Sequence, residues 1–296
     1  MIPVYHKPLI TYAFDHLIEA GVGEIIVNTH HCPEAYSLEF PENHYDGVTL
    51  HFRFEPVLLE TGGGIANVAD LLGDDPFVVY NGDILTDLPV EPAIERHLAS
   101  ENLVTLVLRS EGAARHIAMD ESGERVVDIH GLLGTGHPGA FQFTGIYIVS
   151  PEFLKLLEPG VKRSVIPSFL SLIESGRGLG GIVIDDGQWW DLGNREAYLG
   201  AHEIMRRIPF PAYYHLIGTD FPPLSELALH PSARIHPDAR VGESSVVGED
   251  AVIEANARVE NSIVLRNARV EAGANLTRCI VRPGHSASGE HRDTDF

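Results

Sequence analysis

Residues 78–87 read Val78-Val79-Tyr80-Asn81-Gly82-Asp83-Ile84-Leu85-Thr86-Asp87, an apolar run that stops at Asn-Gly-Asp with a carboxylate at its tip. By itself the stretch supports two readings. Aspartate after a strand is a common turn residue. At the carboxyl end of a strand in an open α/β sheet, it also stands where ligands bind. The surrounding chain has to choose between them.

Working outward, residues 1 to about 205 alternate strand-like and helix-like segments. In "KPLITYAFDHLIEAG", Leu9, Ile10, Ala13, Phe14, Leu17 and Ile18 share one helical stripe and Gly21 closes it. "EIIVNT", "VTLHFRFE", "PFVVYNGD", "LVTLVLRS" and "FQFTGIYIVS" read as strands, and "GIANVADLLG" as a helix ending in glycine. Further helices are expected across 93–99, 151–157, 164–175 and 195–206, with "LGGIVIDDGQWWDLG" forming two strands around an Asp-Gly turn. Strands alternating with helices predict an α/β domain with a mainly parallel sheet.

Residues 206–231 are proline-rich and aperiodic, a linker expected to pack through Phe210, Tyr213, Tyr214 and Phe221. A new period then begins. Apolar residues fall at Ile235, Val241, Val247, Ile253, Val259, Val264, Val270, Leu276 and Val281, in steps of 6, 6, 6, 6, 5, 6, 6 and 5. Two positions before each stands a small residue, from Ala233 and Ala239 through Ser245, Ser262 and Ala274 to Cys279. A six-residue period suits neither helix nor hairpin. It predicts a left-handed parallel β-helix of hexapeptide repeats over 232–283, with nine sides making three triangular coils. The polar residues 284–296 are expected to fray.

Composition narrows the function. A formal charge of −21 argues against nucleic acid or an anionic membrane as partner. The two cysteines, Cys32 and Cys279, fit no disulfide framework or metal spacing. No basic segment followed by an apolar one opens the chain, so a cytoplasmic protein with reduced thiols is expected. Lysine occurs only at 7, 155 and 162, which leaves arginine as the main cation.

Asp83 and Asp191 both end strand-like segments, and Asn194 is placed to cap the helix that follows. A pair of carboxylates with substrate phosphates suits Mg²⁺, whereas each aspartate alone also suits a turn or cap. Gly62, Gly63 and Gly64 in "LLETGGGIANV" open a helix and could offer unhindered N–H groups to an anion or a base. A flexible loop explains them equally well. They match neither G-x-G-x-x-G nor a Walker loop.

Taken in order, "LETGGGI", "FVVYNGD", "FTGIYIVSPE" and "WWDLGNREAYL" resemble the sugar-1-phosphate nucleotidyltransferase family, over residues 1 to about 205. The hexapeptide tail is similar to that of mannose-1-phosphate guanylyltransferases, while "LETGGGI" is more like N-acetylmuramate-1-phosphate uridylyltransferases. The resemblance implies a Rossmann-like domain, transfer of a nucleotidyl group from GTP or UTP to a sugar 1-phosphate, and Mg²⁺ as cofactor. It implies Asp83 and Asp191 as metal ligands and Glu60, Thr61, Gly62, Gly63 and Gly64, with Asn81 and Gly82, around the nucleotide. Thr144 and Gly145 would face the sugar. A homo-oligomer built through the β-helix is a further expectation.

The family's opening strand, its glycine-rich arginine loop and its Pro-Lys-Pro are not found before "MIPV", and Lys7 corresponds to a later Lys-Pro. The lost strand would lie between those at 25–29 and 77–81, so the expectation is a chain that is longer in nature. A non-catalytic subunit that senses a nucleotide sugar is the first alternative. A hexapeptide acyltransferase using His236 or His285 is the second.

Overall fold

A computed structural model describes residues 1–206 and 228–296. Residues 207–227 lie outside the described residues, and with them the expected packing of Phe210, Tyr213, Tyr214 and Phe221. The chain forms two compact units. The first holds residues 13–189 with Met1; the second holds 2–12 and 190–296.

In the first unit a six-stranded sheet is ordered 126–129, 115–119, 141–149, 104–109, 179–183, and 77–80 joins it on 141–149. Strands 104–109 and 179–183 are parallel, and 77–80 and 104–109 both run antiparallel to 141–149. The sheet is therefore mixed where a mainly parallel one was expected. The reason is the connection. Residues 115–119 and 126–129 form an antiparallel hairpin absent from the sequence reading, and a helix-free segment leads from it into 141–149. Without a crossover helix the incoming strand cannot lie parallel.

Both faces of this sheet are covered, which explains its continuous apolar strands. Val104, Leu106 and Leu108 pack with Phe169 and Leu172 of the Ile166–Glu174 helix, while Val107, Ile146 and Ile148 pack with Ala93 of the Glu91–Leu98 helix. A separate sheet pairs 24–29 in parallel with 48–54. Among the described residues, 24–29 and 77–80 each have a single strand neighbour, so each keeps one open edge.

In the second unit a short hairpin, Pro3–Val4 with Lys7–Pro8, packs on the Arg195–Met205 helix. The Asn194 side chain caps that helix by accepting from the Ala197 N–H at 3.0 Å, as its position in the sequence suggests. His202 joins the two pieces. Its Nδ1 donates to the Tyr198 carbonyl at 2.8 Å, and its Nε2 accepts from the Tyr5 N–H at 3.1 Å.

Residues 228–296 form the parallel β-helix. Three faces stack 234–235, 252–253, 269–270 and 286–287; 240–241, 258–260, 275–277 and 290–292; and 246–247, 263–264 and 280–281. The periodic residues Ile253, Val259, Val264, Val270, Leu276 and Val281 fill the core, and Ala251, Ala257, Ala268 and Ala274 are buried beside them. The five-residue steps shorten the later coils, so Val247, Val264 and Val281 stack at 17-residue intervals.

The stack has eleven strands rather than nine, because residues 284–296 are folded and not frayed. Ala287 continues the column below Val270 and is fully buried, and Phe296 packs against the core. The polarity that suggested fraying is used in ion pairs. Arg278 Nε meets Asp293 at 2.7 Å and Arg195 Nε meets Asp295 at 2.8 Å.

Two outcomes follow. Val259→Asp would bury a charge with no partner, so the β-helix should lose several kcal/mol and its cooperative melting transition. For His202, burial first and the nearby His6 second hold the imidazole down to about 4, below its ordinary 6.5. The unfolded chain therefore binds the extra proton first. The His202 contribution is complete above pH 6.5 and is lost as the pH falls toward 4, at up to about 1.4 kcal/mol per pH unit. Urea midpoints measured from pH 7 to 5 should fall for the native protein and fall less for His202→Gln.

Candidate active site

The strand Phe77–Tyr80 delivers Asn81, Gly82 and Asp83 to its carboxyl end. The turn is closed by the Ile84 N–H donating to the Asn81 carbonyl at 3.2 Å. Asn81 is held by the neighbouring strand: its N–H donates to the Gly145 carbonyl at 3.0 Å. The strand 141–149 bulges there, since its register on 104–109 jumps between Phe143 and Tyr147. Gly145 takes a φ of +82°, and a Cβ on it would lie 2.8 Å from the Asn81 side-chain nitrogen. Glycine is required at this position on both counts.

Thr144 stitches the bulge. Its hydroxyl donates to the Val107 carbonyl at 2.8 Å and accepts from the Ile146 N–H at 3.2 Å, and the residue is fully buried. That hydroxyl is committed inside the sheet, so the expectation that Thr144 faces a sugar does not hold for its side chain. Its carbonyl accepts from the Trp189 indole at 2.9 Å. Thr144 and Gly145 thus build the floor under Asn81.

Gly82 behaves differently. It is exposed, its φ is not in the left-handed region, and a Cβ there would meet nothing. Neither backbone conformation nor packing within the chain calls for glycine. Asp83 beside it is exposed.

The glycine run differs from the loop that was an equal expectation. Residues 60–67 form the helix itself, and the glycines lie inside it, not in a loop before it. The Gly62 and Gly63 N–H groups both donate to the Arg163 carbonyl, at 2.9 and 3.0 Å. A Cβ on Gly63 would lie 2.3 Å from the Val161 carbonyl oxygen, and one on Gly64 would lie 3.2 Å from the Glu55 carboxylate. Thr61 accepts from the Val165 N–H at 3.0 Å. These residues let one backbone approach another, and two of the N–H groups expected to meet a base or anion are already used. Glu60 stays exposed, 3.7 Å from the Lys162 ammonium.

Two residues escaped the sequence reading. Glu55, only 3% exposed, follows the strand 48–54. Its Oε1 accepts from Asn28 Nδ2 at 2.6 Å and its Oε2 from the Leu59 N–H at 3.0 Å. Asn28, near the end of 24–29, also donates to the Gly64 carbonyl at 3.0 Å. The available signal was a polar residue at the carboxyl end of each parallel strand. Near the end of 77–80, Tyr80 hydrogen-bonds His16 at 3.3 Å, and burial lowers the His16 pKa and raises that of Tyr80.

Asp191 belongs to the second unit, at the end of the strand Trp189–Asp191. It is exposed, and its Oδ1 accepts from the Gly193 N–H at 2.9 Å, the behaviour of a turn aspartate. Among the described residues no three His, Cys, Asp or Glu side chains gather into a cation cage. Asp83 and Asp191 each remain hard-oxygen donors of the kind Mg²⁺ accepts alongside phosphates.

With this geometry in view, residues 1–207 match the family model of the nucleotidyl transferases, and residues 224–288 match that of the GMPPB C-terminal domain. The chain belongs to the nucleotidyl transferase family, among the sugar-1-phosphate nucleotidyltransferases. It is 28% identical over 285 residues to the mannose-1-phosphate guanylyltransferase of Mycobacterium tuberculosis, covering 94% of this chain and 77% of that protein. It is 30% identical over 284 residues to the mannose-1-phosphate guanyltransferase of Debaryomyces hansenii, covering 93% and 78%. To the N-acetylmuramate α-1-phosphate uridylyltransferase of Neisseria meningitidis it is 28% identical over 207 residues, covering 68% and 89%. Among solved structures, HddC from Yersinia pseudotuberculosis in complex with GMP-PN shares the fold, with a TM-score of 0.54 at 21% identity over 69% of this chain and 88% of that one.

Gly63→Ala and Gly82→Ala should separate the two kinds of glycine. The first should cost about 1–3 kcal/mol by overpacking against the Val161 carbonyl, and the second should stay within about 0.5 kcal/mol. Thermal and urea melts of the two variants check this.

Proposed function

We propose that this protein transfers the nucleotidyl group of an NTP to a sugar 1-phosphate, with Mg²⁺, releasing an NDP-sugar and pyrophosphate. The observation that carries the reading to residues is the Asn81-Gly82-Asp83 tip, an exposed carboxylate on a backbone turn anchored by Gly145. Gly82, which the fold itself does not demand, leaves room for substrate phosphates against the main chain. An oxygen of the sugar phosphate attacks the α-phosphorus. The bond from the α-phosphorus to the bridging oxygen breaks, and pyrophosphate leaves with the electron pair.

In this reading Asp83 and Asp191 are each Mg²⁺ ligands, Asp191 through the oxygen that Gly193 does not engage. Mg²⁺, when bound, neutralises phosphate charge and orients the phosphates for in-line displacement. The protein's part is to fix the turn that presents Asp83 through the Asn81–Gly145 backbone hydrogen bond. Asn81, beside it, is placed to hold the nucleotide.

GTP is the favoured nucleotide. The guanylyltransferase likeness runs over 93–94% of this chain, β-helix included, and the uridylyltransferase likeness over 68%. The glycine run that pointed toward UTP is buried against 161–165, with the Gly62 and Gly63 N–H groups engaged by the Arg163 carbonyl. A cytoplasmic setting and a product destined for cell-envelope polysaccharide are part of this proposal. Among the described residues no helix is long and apolar enough to cross a membrane.

Pyrophosphate release should be measured over GTP, UTP, ATP and dTTP with mannose, glucose and N-acetylmuramate 1-phosphates. The assay should use both the 296-residue chain and a version carrying any in-frame upstream sequence. GTP with mannose 1-phosphate should give the highest kcat/KM, and Asp83→Asn and Asp191→Asn should each lower kcat at least 100-fold with an unchanged melting point. Turnover retained in Asp83→Asn would remove that residue from the metal site. Binding of a nucleotide sugar with no turnover under any condition would instead favour a sensor.

A further inference from the structure

A cavity of about 440 Å³ opens at the amino ends of the strands 104–109 and 179–183. Phe77 and Val104 both pair with Val149, so these amino ends are level with the start of 77–80. Asp83 lies a strand's length away, roughly 10–20 Å at about 3.3 Å per residue. The cavity is thus at the end of the sheet away from the proposed active site. Its walls carry Arg96, Arg125 and Arg177 against Glu101 and Glu124. Three guanidiniums outnumber two carboxylates here, in a chain whose formal charge is −21.

The floor is fixed. Gly178 and Gly180 crowd Asn102, since a Cβ on Gly180 would lie 2.0 Å from its side-chain nitrogen. Ser100 Oγ accepts from the Asn102 N–H at 3.3 Å while donating to the His97 carbonyl at 2.9 Å. The arginines divide into two kinds. Arg96 is held by Glu124 at 2.8 Å. Arg125 and Arg177 have anchored backbones but, among the described residues, no ion pair. Arg177 stands between two left-handed glycines, Gly176 and Gly178, and its N–H donates to the Leu172 carbonyl at 3.0 Å. Arg125 bridges to Gly180. Both side chains are exposed, so their heads are free to turn to a ligand while their main chains stay put.

We infer that this cavity is a second binding site, for a small phosphate-bearing anion, held between Arg125 and Arg177. Guanidinium forks match phosphate oxygens in pairs, and a cavity of this size holds a phosphate or a phosphorylated sugar. Its distance from Asp83 means the bound anion touches no reacting atom. The inference does not depend on the proposed reaction.

The test is calorimetric titration of the 296-residue protein with inorganic phosphate, without Mg²⁺ or nucleotide. Phosphate should bind in the millimolar range or tighter at one site that Asp83→Asn leaves unchanged. The double variant Arg125→Gln/Arg177→Gln should weaken it at least about tenfold at an unaltered melting point, because both side chains are exposed. Glu101→Gln, which removes a carboxylate that has no ion pair among the described residues, should tighten it. Equal affinity in the double variant, weaker binding in Glu101→Gln, or no saturable binding to the native protein would each overturn the inference.

Discussion

The first unit depends on a strand that runs against its neighbours. Residues 141–149 pair with 77–80, 104–109 and 115–119 and are antiparallel to all three. The parallel strands 77–80 and 104–109 are therefore registered through it and not directly on each other. The strand cannot be regular along its whole length and still seat Asn81. The two extra residues at Thr144 and Gly145 resolve the conflict, with the Thr144 hydroxyl replacing a lost ladder bond and Gly145 adopting a φ open only to glycine without strain. One irregularity thus serves both the sheet and the turn that presents Asp83.

Legibility of the sequence varied with how local the physics is. The hexapeptide period was readable because each coil repeats one steric requirement, a small residue at the corner and a branched one inside. Even the five-residue steps proved structural, shortening the coils to 17 residues where Val264 and Val281 stack. Strand direction was not readable, since an alternating or apolar run carries no sign of which way its partner points. The glycine run misled because glycine admits any close neighbour. Here the neighbour is the backbone at Val161 and Arg163, about one hundred positions away in sequence. The polar tail misled for the reverse reason: the arginines that pair with Asp293 and Asp295 lie at 195 and 278.

The site was legible as positions more than as roles. Asp83, Asn81 and Gly82 stand at a strand's carboxyl end as expected, and Asp191 ends a strand as expected but also closes its own turn through Gly193. Thr144 and Gly145 belong to the architecture beneath the turn. Glu55 and Asn28 went unnoticed because nothing in "VTLHFRFE" or "EIIVNT" separates a solvated strand-end polar residue from a buried one. In the structure Glu55 ties the ends of two strands to the entry of the 60–67 helix. Its carboxylate takes the N–H of Leu59, the residue that precedes the helix, while the Arg163 carbonyl takes the Gly62 N–H that a side-chain cap would otherwise engage.

The last coil has a consequence for how the molecule behaves among its own copies. A stack of parallel strands ends in a row of unsatisfied backbone groups, which is a template for another chain. In this protein the strand 290–292 and the turns after it carry Glu290, Arg292, Asp293 and Asp295, and the exposed Asp293 and Asp295 pair with Arg278 and Arg195. An incoming strand would have to strip water from the exposed charges and break those pairs before its first backbone hydrogen bond formed. The residues with the least apolar character in the tail thereby make the edge of this coil a poor template for another chain, disfavouring fibre-like growth across it.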